Sequence, residues 1–232
     1  MAGKKGIAAL VPMKGHSERV SSKNIRDFSG RPLLFWVLKA LHGLNGLSAI
    51  YVDTDSALVK DTVRQHFGSS VKFIDRPHGI CGDTVPMNRI IAHDISLIDA
   101  DIFIQTHATN PLVRTATFNK AVDAYFKAVE RSYDSLFSVR RHQSRFYDSE
   151  IRPINHDPAN LIRTQDLRPI YEENSNFYIF SRDSFSRTSS RIGPKPYLYE
   201  VPRLESIDID DEEDFKLAEY LFGFQGYGEA HE

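Results

Sequence analysis

Short apolar runs alternate with helix-periodic stretches through the first 140 residues. "GIAALVP" (6–12) reads as a buried strand. "LSAIYVDTD" (47–55), "VKFID" (71–75) and "YDSLFSVRR" (133–141) read as strands too, and "ADIFIQTHATNP" (100–111) as a strand running into a loop. Between them lie helices: "RPLLFWVLKALHGL" (31–44), with Pro32 in its first turn and Gly43 near its end, "SALVKDTVRQHFG" (56–68), "VPMNRIIAHDISLI" (85–98) and "RTATFNKAVDAYFKAVERS" (114–132). In the second helix, Leu58, Val59, Val63 and Phe67 form the apolar stripe. Apolar strands alternating with helices predict a mostly parallel, Rossmann-like sheet covered by helices on both faces. In such sheets ligands bind at the carboxyl ends of the strands, so the loops after Val11, Asp53, Asp75 and Gln105 are expected along one rim.

The pattern breaks between 141 and 172. The stretch is polar, holds three prolines and has little periodicity, yet Phe146, Ile151, Leu161, Ile162 and Leu167 need burial. It reads as an inserted, protruding arm within one domain spanning 1–232. A strand "SNFYIF" (175–180), a loop, the strands "YLYEVP" (197–202) and "ESIDID" (205–210), and the helix "DEEDFKLAEYLF" (211–222) complete the chain, with a frayed tail after it.

Charge changes this picture only locally. Lys and Arg total 29 against 31 Asp and Glu, so no general nucleic-acid footprint is expected and any anion site must be local. The single cysteine, Cys81, cannot form an intramolecular disulfide, which suits a reducing, cytoplasmic setting. The apolar run at the N-terminus is short for a signal peptide core, and no stretch approaches the roughly 20 apolar residues of a membrane span, so no membrane partner is expected.

Three cations, Lys14, Arg19 and Lys23, sit in the loop behind the first strand. Triphosphates need several such donors at one place. The loop matches neither the P-loop nor the G-x-G-x-x-G pattern, and by charge and position alone it reads equally as a solvated loop. In "ESIDIDDEEDF", strand alternation would put Asp208 and Asp210 on one face, roughly 7 Å apart, a spacing that suits Mg²⁺. The alternative makes Asp210 the N-cap of the last helix, which leaves Asp208 unexplained. His107, Thr109 and Asn110 follow a strand, where polar groups suit a hydroxyl-rich substrate or simply a turn. Arg76 and Asp83 flank a Gly-containing loop. Arg163, Arg168 and Tyr178 could meet a carboxylate or an oligomer contact.

Taken together and in order, these stretches resemble the acylneuraminate cytidylyltransferases, the CMP-sialic acid synthetases. "VPMKGHSERVSSKN" is similar to the family's opening motif without a gap at Pro12, Ser17, Lys23 and Asn24. Arg76, Pro77 and Asp83 are similar to its second motif, and "HATNPL" to its third. Arg163, Gln165, Asp166, Leu167, Pro169, Tyr171, Glu173 and Asn174 match the fourth, and Ile207 to Phe215 the last. The resemblance implies transfer of CMP from CTP to the anomeric hydroxyl of a 2-keto-3-deoxy sugar acid, with release of pyrophosphate. It implies nucleotide binding by Lys14, Ser17, Arg19, Lys23, Asn24, Arg76 and Asp83, and catalytic roles for Lys14, Lys23, Asp208 and Asp210. Asp208 and Asp210 would hold Mg²⁺. His107, Thr109, Asn110, Arg163 and Tyr178 would meet the sugar, and the arm would make a homodimer. The alternatives are a nucleotidyltransferase for another sugar or base, and an inactive relative that binds sugar or nucleotide. Several positions depart from the family: Lys14 and His107 replace its Arg and Gln, Asn110 its Ser, and Glu18 its Lys, with Arg19 beside it.

Overall fold

The computed structural model describes residues 6–15, 20–82 and 84–224. The chain runs β1 (Ile7–Met13), β2 (Asp27–Phe28), β3 (Arg31–Pro32), α1 (Leu33–His42), β4 (Leu47–Thr54), α2 (Ala57–Phe67), β5 (Val71–Asp75), α3 (Met87–Leu97), β6 (Ile102–Thr106), α4 (Thr115–Glu130), β7 (Ser135–His142), β8 (Ile170–Ser181), α5 (Arg182–Thr188), β9 (Pro196–Glu200) and α6 (Glu212–Phe224). Seven strands form one sheet in the order β5-β4-β1-β6-β8-β7-β9, while β2 and β3 form a small separate hairpin. Pairing is parallel from β5 across to β6 and again between β7 and β9. Strand β8 runs antiparallel to both its neighbours. The expected mostly parallel sheet is therefore present.

Every residue of β1 is buried, as a central strand covered on both faces requires. Ala9, Val11 and Met13 join a core with α1, α2 and α4, while Ala8 and Leu10 join a second core with α3 and α5. A third cluster packs Phe28 and Trp36 against Phe215 and Phe222 of α6, and Ile209 joins it. The Trp36 indole N–H donates to Phe28 O at 3.0 Å. This cluster brings the C-terminal helix to the rim where β1 ends. Among the described residues no helix is long and apolar enough to cross a membrane.

Four expectations need correcting. Leu58 is exposed, so the buried stripe of α2 is Val59, Val63 and the partly buried Phe67. A short helix, α5, occupies 182–188, where a loop was expected; Ser181 caps it by accepting from the Ser184 N–H. The segment "ESIDID" is not a strand: Glu205 and Ser206 lie in a turn whose N–H groups donate to Pro202 O, and 207–210 pair with no strand. Finally, the N-cap of α6 is Asp211, whose Oδ1 accepts from the N–H groups of Glu213 and Asp214 at 2.9 Å. Asp214 answers by accepting from the N–H groups of Asp210 and Asp211. Helix capping thus explains Asp211 and leaves the Asp210 carboxylate to another role.

Below the rim lies a buried charge cluster. The Arg76 guanidinium, 1% exposed, gives Nε to both Asp53 oxygens at 3.0 and 3.2 Å and Nη2 to Asp53 O. Removing one partner of such a buried pair costs about 3–5 kcal/mol. Asp94 of α3 is also fully buried, and His93 Nδ1 lies 3.3 Å from its Oδ1. Burial first, and then the Asp53 charge, push the Asp94 carboxyl up to about 8. Its Oδ2 is enclosed and accepts from no donor. A proton kept on Asp94 and given to Asp53 removes that deficit.

The folded protein therefore binds this proton more tightly than the unfolded chain does. The stabilisation is complete below the ordinary carboxylate pKa and is lost as pH rises through about 8. Chemical denaturation of the wild type and of Asp94→Asn, compared at several pH values, checks this. The midpoint difference should move in favour of the amide variant between about pH 5 and pH 9, because the amide needs no pH-dependent proton. A difference independent of pH would show that Asp94 is ionised in the fold.

Candidate active site

The loop behind β1 leaves the sheet at Lys14 and Gly15. Gly15 N–H donates to Asp55 Oδ1 at 2.9 Å, and a Cβ at Gly15 would fall 2.5 Å from Ser56 Cβ. Only glycine allows that approach. The loop returns at Asn24, whose Nδ2 donates to Lys14 O at 3.0 Å and closes its neck. Lys23 then reaches across the chain: its Nζ donates to Ile209 O at 2.6 Å, between Asp208 and Asp210. The cationic loop and the carboxylate pair, 186 residues apart, thus meet at one place. Ser17, Arg19 and the divergent Glu18 lie outside the described residues, as does Asp83.

The carboxylate segment is held by buried amides rather than by a strand ladder. Ile209 N–H donates to Thr109 O at 2.9 Å. Asn110 Nδ2 donates to Ile207 O at 3.3 Å and to Asn176 Oδ1 at 3.2 Å. Asn176 in turn gives its Nδ2 to Glu205 O at 2.5 Å, and its own carbonyl accepts the Thr106 hydroxyl. Asn110, expected at the sugar, is fully buried and acts as this brace.

Asp208 and Asp210 share a cleft of about 430 Å³ with Asp214, Glu172, Glu173 and Arg140. Burial raises the Asp208 pKa, partly offset by a hydrogen bond from Thr109, while Asp210 adds a further rise. Its Oδ1 is buried with no hydrogen-bond partner. A divalent cation would complete such an oxygen, and two carboxylates are suitable hard donors. No group of three or more metal-ligating side chains exists among the described residues, so a cation here would rest on this pair plus substrate and water oxygens.

The second half of the rim holds an aromatic and amide network. The residue at its surface is Arg191, which the sequence did not single out. Its guanidinium lies 3.6 Å over the Tyr178 ring, and its Nη1 donates to Gln105 Oε1. That bond fixes the Gln105 amide, whose Nε2 donates to Thr106 O and to His107 Nε2 at 3.0 Å. His107 Nε2 is therefore the acceptor, and its proton sits on Nδ1. Burial, reinforced by the charges of Arg191 and Lys23, pushes His107 down to about 3, so it is a neutral donor at physiological pH. The Tyr178 hydroxyl donates to Glu173, and burial raises its pKa to about 12. Tyr178, expected at the sugar, is fully covered, with the Arg191 guanidinium over its ring.

The other expected positions divide clearly. Lys14, Lys23, Asn24, His107, Thr109, Asp208 and Asp210 converge. Arg76, expected at the nucleotide, is committed to Asp53 beneath the rim and has no surface to offer. Arg163, expected at the sugar, is 73% exposed on the arm and paired with Asp166 at 2.7 and 3.1 Å. Gln105 carried a usable signal: it is a polar residue inside an apolar strand, which demands a buried partner. Arg191 carried none, because it follows a helix that the sequence pattern did not show.

The comparisons agree with this geometry. A solved CMP:2-keto-3-deoxy-manno-octonic acid synthetase complexed with CTP superposes with a TM-score of 0.69 at 17% identity, covering 95% of this chain and 99% of that one. The N-acylneuraminate cytidylyltransferase of Oncorhynchus mykiss is 30% identical over 96% of this chain and 52% of its own length. The pseudaminic acid cytidylyltransferase of Campylobacter jejuni is 22% identical over 92% and 94% of the two chains. The chain thus spans about half the length of the vertebrate relatives it matches and nearly all of the shorter bacterial one. Residues 8–223 match the family model for Cytidylyltransferase, and with nearly the whole fold and the site inside that match, the chain belongs to the cytidylyltransferase family.

Proposed function

We propose that this chain transfers CMP from CTP to the anomeric hydroxyl of a 2-keto-3-deoxy sugar acid. The observation that carries the reading is the 2.6 Å bond from Lys23 Nζ to Ile209 O, which seats the cationic loop against Asp208 and Asp210. The acceptor oxygen bonds to the α-phosphorus, the bond to the bridging oxygen breaks, pyrophosphate takes the electron pair, and the hydroxyl proton is released. Such transfers depend on positioning and charge stabilisation, so no covalent nucleophile is required and Cys81 has no task. Lys14 and Lys23 neutralise the triphosphate and the departing pyrophosphate, and Ser17 and Arg19 of the same loop add hydrogen-bond donors. Asp208 and Asp210 would hold Mg²⁺, which when bound orients phosphates and lowers the pKa of the attacking hydroxyl. His107 offers an Nδ1–H donor without a competing positive charge.

The arm supports a homodimer. Ile151 is 82% exposed and held at a φ of 63°, a costly conformation for a β-branched residue. Asp148 fixes that turn by accepting from the N–H groups of Glu150 and Arg152. Tyr147, Ile154, Leu161 and Ile162 are exposed nearby. A second copy would cover these side chains and bring Arg163 towards a sugar site. A reducing cytoplasmic setting fits the single thiol.

Pyrophosphate release, measured with Mg²⁺, each NTP and a panel of 2-keto sugar acids, tests the reaction. Release is expected with CTP only, and silence with CTP and every sugar acid refutes it. Asp208→Asn should fold normally by circular dichroism and lose at least about 100-fold in turnover, the upper range for groups that merely orient metal ligands. Turnover within a few-fold of wild type would remove Asp208 from the metal site.

Sedimentation equilibrium checks the arm. A dimer is expected for the wild type, weakened by Ile151→Asp with Leu161→Asp. A monomeric wild type would refute the dimer.

A further inference from the structure

The sheet ends at β9, and no strand among the described residues pairs with its outer side. Lys195 O accepts from Asp134 N–H at 3.1 Å, and Val201 N–H donates to Val139 O at 3.1 Å. Backbone direction alternates along a strand, so the odd-numbered residues of β9 face β7. Leu198 and Glu200 therefore turn their N–H and C=O groups outwards, and Pro196 its C=O alone. The side chains of Tyr197 and Tyr199 pack on the core that α4 covers, while Leu198, on the opposite face, is 41% exposed.

A basic row flanks this edge. Lys120, Lys127 and Arg131 of α4 line a groove against Tyr197 of β9, and Asp123 is the one acid in its lining. The three cations are exposed, and none pairs with an acid among the described residues. Lys195 adds a fourth positive charge over the Tyr133 ring, and Glu200 closes the strand at its far end. Strands β7 and β9 run in the same sense as β1 and β6, so the groove, at the start of β9, lies at the end of the sheet away from the rim.

Proteins blunt their sheet edges with proline, shortness and charge. Pro196 does so at the first position only. The charges do so selectively: two copies paired edge to edge would set the cation rows against each other, whereas an acidic segment neutralises them. The dimensions agree. From Lys120 to Arg131 the helix rises about 16 Å at 1.5 Å per residue, and a strand as long as β9 covers about 17 Å. The outward N–H and C=O groups separate this surface from a bare basic patch, because they suit another main chain.

We propose that the β9 edge and the cation row of α4 form a docking surface for an extended acidic segment of another protein, which adds to the sheet as an eighth strand. Its side chains on the α4 side are Asp or Glu at alternate positions and meet Lys120, Lys127 and Arg131. Those between them are apolar or β-branched and lie beside Leu198.

Fluorescence polarisation with a labelled peptide of alternating Glu and Val tests this. Saturable binding is expected, weakened by salt and absent for the peptide with Lys in place of Glu. Lys120→Glu with Lys127→Glu should weaken it at least about tenfold. Leu198→Pro removes an outward N–H and leaves the ladder to β7 intact, so the fold should persist by circular dichroism while binding falls about fivefold. Amide exchange at Leu198 and Glu200 should slow when the peptide is bound. No saturable binding below about 1 mM, equal retention of the Lys peptide, or indifference to Leu198→Pro overturns the proposal. So does a single-stranded oligonucleotide that displaces the peptide as well as unlabelled peptide does, which marks a polyanion patch. A wild-type dimer that Leu198→Pro dissociates gives the edge to a second copy and overturns it too. Should Leu198→Pro fail to fold, a peptide N-methylated at alternate residues replaces it: methylation of the pairing edge should abolish binding, and unchanged binding overturns strand addition.

Discussion

The carboxylate segment 205–210 has no strand ladder, so its place depends on the buried side-chain amide of Asn176. This one group accepts from Asn110 and donates to Glu205 O, joining the end of β6, the middle of β8 and the segment that carries Asp208. A second tie, from Ile209 N–H to Thr109 O, fixes the register of that segment. Asn110 Nδ2 and both polar side-chain atoms of Asn176 find partners in this network, which favours a single arrangement, while the buried Asn110 Oδ1 has none. Lys23 can reach Ile209 O only because that arrangement holds the carbonyl still.

Around this brace the rim separates charge by depth. Asp53, Arg76 and Asp94 sit beneath the surface, where Arg76 donates to Asp53 and Asp94 keeps its proton, supporting the ends of β4 and β5. Lys23 and the Asp208–Asp210 pair sit above them. To one side, the chain Arg191–Gln105–His107 transmits hydrogen-bond direction across three residues and leaves a neutral imidazole with its proton on Nδ1. Low dielectric strengthens each of these contacts and penalises any that is left open.

Much of this was legible in the sequence, and the reasons differ by element. Buried parallel strands are continuous apolar runs, so β1, β4, β5 and β6 announced themselves, as did α1 and α4 by their period. The segment "IDID" alternates like a strand and does bury Ile209 while turning Asp210 outwards, but its partners are side chains, which a period cannot show. Five consecutive acids, 210–214, left the N-cap ambiguous by one residue, and the Asp211 hydrogen bonds decide it. Arg76 stood in a recognisable motif, yet a motif gives position and not exposure, and its guanidinium belongs to Asp53. Arg191 follows a short helix with no apolar stripe, so nothing in the pattern pointed to it.

Strand β8 is twelve residues long and does two things at once. Its inner end, from Asn176 to Phe180, is locked in the core, while its outer end pairs with β7 at the root of the arm. Glu173 lies between them, opposite Val139, where the pairing register slips. A stiff beam clamped at one end and loaded at the other bends where its ladder is irregular. Whatever seats on the arm therefore pulls first on the residue that faces Arg191.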